Sequence, residues 1–189
     1  MSNGKNGNLF FFKTLKILVT AAFLAGMSIV FGKYLAIPVG DFMRFSFENT
    51  PIILAGIIFG PLVGGAVGAV ADLIGCIAVG YTINPLVTLG AASIGLISGA
   101  SALFFDKVIR SQRLMPKIII SAALAHTVGS LIIKTLGLSA FYSIDLGILF
   151  LWRLLNYAIV GTLDCLIAYL LLRSKTLTAQ INSIKGKDK

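Results

Sequence analysis

Arg44, Phe45, Phe47, Glu48 and Asn49 fall within the six positions R-F-S-F-E-N, immediately ahead of an apolar run that begins at Pro51. A cation, a carboxylate, an amide and two rings in so short a stretch supply the donors, acceptors and flat faces used in reversible recognition of an aromatic ligand. The mixture recurs in G-Y-T-I-N-P, which carries Tyr81 and Asn84, and in W-R-L-L-N, which carries Trp152, Arg153 and Asn156. Lys33 adds a cation ahead of the first stretch, and Asp72 adds a carboxylate inside an apolar segment. Covalent chemistry has no comparable support. The chain contains no G-x-x-x-x-G-K-[ST], H-E-x-x-H or G-x-S-x-G, so it has no visible means of hydrolysing a nucleotide. Cys76 and Cys165 lie far apart in apolar segments and read as packing thiols, and the single histidine, His126, has no clustered partners, so no metal site and no cofactor are expected. His126 is either a helix-to-helix hydrogen-bond partner or a ligand contact.

The elements that hold these groups are membrane helices. Of 189 residues, 57% are hydrophobic and only 12% charged, and the mean hydropathy is +0.95, outside the range of soluble domains. Apolar segments run over 14–37, 51–59, 62–80, 85–105, 117–138 and 147–172. The second is short against the roughly 20 residues a span needs, and it counts as a span only if it takes in the polar residues before Pro51. The expected architecture is therefore an all-α integral membrane protein of six transmembrane helices over 14–172, with an N-terminal segment 1–13 and a basic tail 173–189. Lys13 and Lys16 ahead of an apolar stretch imitate a secretory signal, but the stretch is too long for one and five more follow, so it reads as a retained first helix. Of 16 Lys and Arg residues, 12 fall on the side shared by both termini and 4 (Lys33, Arg44, Lys134 and Arg153) on the other, which predicts cytoplasmic termini. The net charge of +9 is then mostly a topology signal and an attraction to anionic lipid, not a nucleic-acid footprint.

Small residues recur every four positions at Gly56, Gly60, Gly64 and Gly68, and again at Gly95 and Gly99, as they do where helices approach closely in lipid. Ala21 and Ala25 form such a row on the first helix, suited equally to internal packing and to docking another membrane protein. A charge at the centre of a span costs about 2.5 to 3.5 kcal/mol on insertion scales, so Asp72, Arg153 and Asp164 should face a cavity or a partner. For Asp164 the favoured expectation is a structural partner on another helix or a contact in the cytoplasmic half. Trp152 and Asn156 share a helical face, with Arg153 about 100° round from Trp152. The loops 33–48 and 80–85, and the residues Phe141, Tyr142 and Asp145, all belong to one end, where rings, amides and cations would line a common cleft for a flat heteroaromatic ligand with an acidic tail.

The run F-E-N-T-P-I-I-L-A-G-I-I-F-G-P-L-V-G-G-A-V-G, followed by Asp72 and G-Y-T-I-N-P, resembles the substrate-binding component of energy-coupling factor transporters, and most the folate-specific kind. H-T-V-G-S-L-I-I-K-T-L-G-L and W-R-L-L-N are similar to the same subfamily, and the likeness spans about 16–172. It implies a six-helix component that captures a vitamin from outside and has no fuel of its own. The row matched by Ala21 and Ala25 would dock on a transmembrane scaffold subunit driven by a pair of cytoplasmic ATPases. It further implies that Phe45, Phe47, Tyr81 and Trp152 enclose the pterin ring and its benzoyl neighbour. Glu48, Asn49, Asp72, Asn84 and Asn156 become candidates for the pterin edge, and Arg44, Arg153 and Lys33 for the glutamyl carboxylates. A component for another vitamin (thiamine, riboflavin or a queuine-like base) and a stand-alone small channel or membrane scaffold are the competing readings.

Overall fold

Glycine and proline set the joints of the helical framework. The computed structural model describes residues 3–39, 43–109 and 114–185; Arg110, Arg113, Lys187 and Lys189, which entered the charge tally, lie outside them, as does the tip 40–42 of the first long loop. Helix α1 (Asn3–Ile29) runs on as a π-helical turn at Val30–Tyr34, and a two-stranded antiparallel hairpin follows, β1 (Ile37–Val39) with β2 (Met43–Phe45), pairing Pro38 with Arg44. Helix α2 (Asn49–Phe59) ends at Gly60, whose φ of 95° is open to glycine and strained for other residues, and Pro61 then occupies the first turn of α3 (Pro61–Val79). Gly80, also left-handed, closes α3. Asn84 caps α4 (Pro85–Phe104) by accepting from the Leu86 N–H at 3.0 Å, ahead of a proline pre-set for the first turn. Then come α5 (Leu114–Ala125), a nine-residue π-helical stretch His126–Lys134 and α6 (Thr135–Tyr142), which together make one continuous span. Asp145 caps α7 (Leu146–Arg173) through the Ile148 N–H at 2.9 Å.

Five of the described helices are long and apolar enough to cross a membrane: Thr14–Tyr34, Pro61–Val79, Pro85–Val108, Leu114–Tyr142 and Leu146–Arg173. Helix α2 does take in Asn49 and Thr50, yet its 11 residues reach only about 16 Å at 1.5 Å per residue, roughly half the hydrocarbon thickness. The element expected as a sixth span is a half-length helix, and every residue from Asn49 to Gly56 is buried, the pattern of a helix enclosed on all sides. The expected basic tail is also more ordered than foreseen. It forms α8 (Lys175–Lys185), with Leu177, Ile181 and Ile184 half-buried at helical spacing and the helix packed against α1 and α7.

The glycine rows turn inward. A Cβ on Gly56 would lie 2.6 Å from the Gly95 carbonyl oxygen, and one on Gly64 would lie 2.6 Å from the Gly56 Cα, so α2, α3 and α4 meet backbone to backbone. A second tie is polar. Asp164 on α7 is 1% exposed and accepts from the Thr50 hydroxyl of α2, while the His126 Nε2 comes within 3.1 Å of its other oxygen. His126 and Asp164 are thus mutual partners that join α2, the π-helical stretch and α7.

Gly95→Ala would force a methyl into the α3 backbone, and overpacking of this kind costs about 1–3 kcal/mol. Its thermal unfolding midpoint in detergent is expected to fall below that of Gly26→Ala, where a Cβ meets nothing within 4 Å.

Candidate functional site

Each wall of the cleft comes from a different element, and each element delivers its polar group near the same end. The end of α1 contributes Gly32 and Lys33, β2 contributes Arg44, and the approach to α2 contributes Ser46 and Glu48. Asp72 reaches in from α3 and Val87 from α4. Lys134 closes the π-helical stretch, Leu138 lies on α6, and Arg153, Asn156 and Tyr157 come from α7. The cavity is about 120 Å³, below the roughly 300–1,000 Å³ of a site that buries a drug-sized ligand, so as it stands it fits a ring head with the tail at the mouth. Two larger hollows, of about 600 and 430 Å³, are apolar and open sideways between helices, where hydrocarbon is the natural filling.

Charge in the cleft is partly cancelled. The Lys134 Nζ donates to Glu48 Oε1 at 2.8 Å, and the Lys33 Nζ lies 4.0 Å from Asp72, whose other oxygen accepts from the Thr88 hydroxyl at 2.7 Å. Lys134 is 4% exposed, a burial an ammonium tolerates only beside a counter-charge. Four lining cations (Lys33, Arg44, Lys134 and Arg153) face two carboxylates (Glu48 and Asp72), and the excess of two resides on the arginines. Arg153 donates to the Ser130 carbonyl at 3.1 Å and the Tyr157 hydroxyl at 2.8 Å, and its buried Nε has no partner. Arg44 is exposed, with its guanidinium 5.0 Å from the Tyr81 ring centre, and its carbonyl accepts from Asn156 Nδ2 at 3.1 Å. The arrangement can hold an anionic ligand.

A family model for the substrate-specific component of ECF transporters matches residues 16–173. The chain belongs to that family. This S component is 25% identical over 164 residues to the folate transporter FolT of Clostridium novyi (strain NT), covering 83% of this chain and 88% of that one. Its structure is similar to a crystal structure of FolT bound with folic acid, with a TM-score of 0.66 and 25% identity over 82% of this chain and 93% of that chain. It is also similar to the S component for biotin from an ECF-type ABC transporter, with a TM-score of 0.65 and 18% identity over 85% and 93% of the two chains, a likeness of fold.

Of the residues singled out in the sequence, Lys33, Arg44, Glu48, Asp72, Arg153 and Asn156 line the cleft of the S component. Tyr81 stands beside it, with the Lys33 Nζ 5.7 Å from its ring centre. Phe45 and Phe47 belong to the hairpin and the segment after it and are not in the lining. Asn49 is buried, with its Oδ1 unpartnered, and Asn84 is engaged in capping α4 and in donating to the Gly137 carbonyl at 2.8 Å. Trp152 is 54% exposed, turned away from the cleft that holds its neighbour Arg153. Ala25 is buried in the core and Ala21 packs against it, and both also edge the 430 Å³ groove between α1 and α3 with Ala22, Leu62 and Val70. The sequence reading missed Ser46, Lys134 and Tyr157 as lining. A lysine inside S-L-I-I-K-T-L was the available signal for Lys134, and the i, i+4 spacing from Arg153 for Tyr157.

Lys134→Met strands the Glu48 carboxylate, and loss of one partner of a buried pair costs up to about 3–5 kcal/mol, with the 27% exposure of the Glu48 side chain favouring the lower end. The double change Glu48→Gln/Lys134→Met is expected to recover most of that loss in the same denaturation assay.

Proposed function

We propose that this S component is the high-affinity folate-binding membrane subunit of an ATP-driven vitamin importer. The observation that carries the reading is the cleft itself: a carboxylate and an amide for a heteroaromatic edge, with two arginines that form no ion pair among the described residues for a ligand that bears two carboxylates of its own. The similarity to FolT, over most of both chains, supports folate as that ligand. Tyr81 beside the cleft stacks on the ligand's rings, and Arg44 and Arg153 neutralise the glutamyl carboxylates. The cleft opens on the outer side and both termini are cytoplasmic, in keeping with the lysine and arginine distribution. The groove edged by Ala21 and Ala25 receives a helix of a transmembrane scaffold subunit, and two cytoplasmic ATPase subunits supply the energy, so the chain itself is a binding subunit and not an enzyme.

Titration of the purified protein with folate, thiamine and riboflavin tests the substrate. Saturable one-to-one binding of folate alone is the expected result, and tight binding of another vitamin with none of folate would reject it. Arg44→Gln and Arg153→Gln are each expected to weaken folate binding about tenfold to a hundredfold, since a charge-assisted hydrogen bond contributes about 1.5–3 kcal/mol. Proteoliposomes containing this chain alone should bind folate without accumulating it. A bulky residue at the half-buried Ala21 should stop uptake by the reconstituted complex while binding persists.

A further inference from the structure

The Glu48–Lys134 pair retains unused hydrogen-bonding capacity. Lys134 Nζ donates to Oε1 of Glu48; among the described residues, Oε2 receives no hydrogen bond and the other two ammonium N–H groups meet no acceptor. The second carboxylate of the cleft is committed, since Asp72 holds Thr88 and faces Lys33. Two glycines fix the pair's position. A Cβ at Gly32 would lie 2.6 Å from Glu48 Oε2 and 2.8 Å from Glu48 Cβ, and a Cβ at Gly90 would lie 2.5 Å from Lys134 Cγ. The cleft therefore presents, side by side, one anionic acceptor and one cationic donor at a fixed spacing.

An acceptor beside a donor complements an edge that runs amine, ring N–H, carbonyl oxygen. The 2-amino-4-oxopteridine head of folic acid has that edge. We infer that Glu48 and Lys134 together are the head-group reader: Glu48 accepts from the 2-amino group and the N3–H, and Lys134 donates to the 4-oxo oxygen. Gly32 and Gly90 act as positioning residues, because a side chain at either would displace one half of the reader. The assignment rests on the folate reading. It separates two tasks, with the lysine-paired carboxylate assigned to the head and the two arginines to the tail.

The test is a calorimetric titration of the full chain in detergent with two ligands of identical tail, one with the 4-oxo head and one with a 4-amino head. The 4-amino group points a donor at the Lys134 ammonium, so the wild type is expected to prefer the 4-oxo ligand by about tenfold or more. Glu48→Gln/Lys134→Met keeps the cleft charge-balanced and is expected to bring that ratio to about one, with far-UV circular dichroism and size exclusion confirming the fold. Gly32→Ala is expected to weaken the 4-oxo ligand selectively, whereas a purely structural glycine would weaken both ligands alike. Equal wild-type affinity for the two heads, or an unchanged ratio in the double variant, overturns the inference and leaves folate binding intact. Binding of neither ligand overturns both.

Discussion

An ammonium removed from water within an apolar helix bundle costs several kcal/mol unless an anion meets it. At Lys134 that anion is Glu48, and the contact between them fixes much else. It draws the approach to α2 against the end of the π-helical stretch and defines the cleft floor. It also requires bare backbone on both sides, at Gly32 and Gly90, to leave room for two long side chains. The Ser28 hydroxyl, which donates to the Glu48 carbonyl at 2.7 Å, anchors the same residue to α1.

The framework behind the cleft is held differently. Lipid tails are as apolar as leucine, so helices gain little from hiding side chains from their surroundings and associate through close contact instead. Gly56, Gly64 and Gly95 permit backbone-to-backbone packing of α2, α3 and α4, and the half-length α2 is accommodated because its neighbours enclose it on every side. Where close packing gives way, the polar link Thr50–Asp164–His126 joins α2 to α7 and to the π-helical stretch. Close backbone packing of three helices on one flank and the polar contacts of Asp164 on the other hold the walls in a fixed relation.

Much of this was legible in the sequence because membrane insertion penalises misplaced charge. Composition gave the class, the glycine–proline joint at 60–61 gave the reversal between α2 and α3, and the costly residues Asp72, Arg153 and Asp164 each found a partner or the cleft. The rest depended on facts that a helical wheel does not hold. Residue spacing put Trp152 near Arg153 on α7, but which arc lines the cleft is decided by neighbouring helices, and Trp152 is exposed and outside the lining. Asn84 offered an amide, and the backbone at the start of α4 took it. Lys134 entered only the charge tally, because helical spacing alone does not tell which neighbours a side chain meets, and the hairpin strands at 37–39 and 43–45 are too short to impose a readable alternation.

The nine π-helical residues from His126 to Lys134 have a consequence for how such a binding surface can change. A π-helical stretch stores an extra residue relative to the α-helical path, and such stretches cluster at functional positions. Excising one residue there would let the stretch rewind to an α-helix while α5 and α6 on either side keep their phase, so the change stays local to the cleft wall. Insertion and deletion, which usually wreck a buried helix by rotating everything beyond them, become at this point changes the helix can absorb.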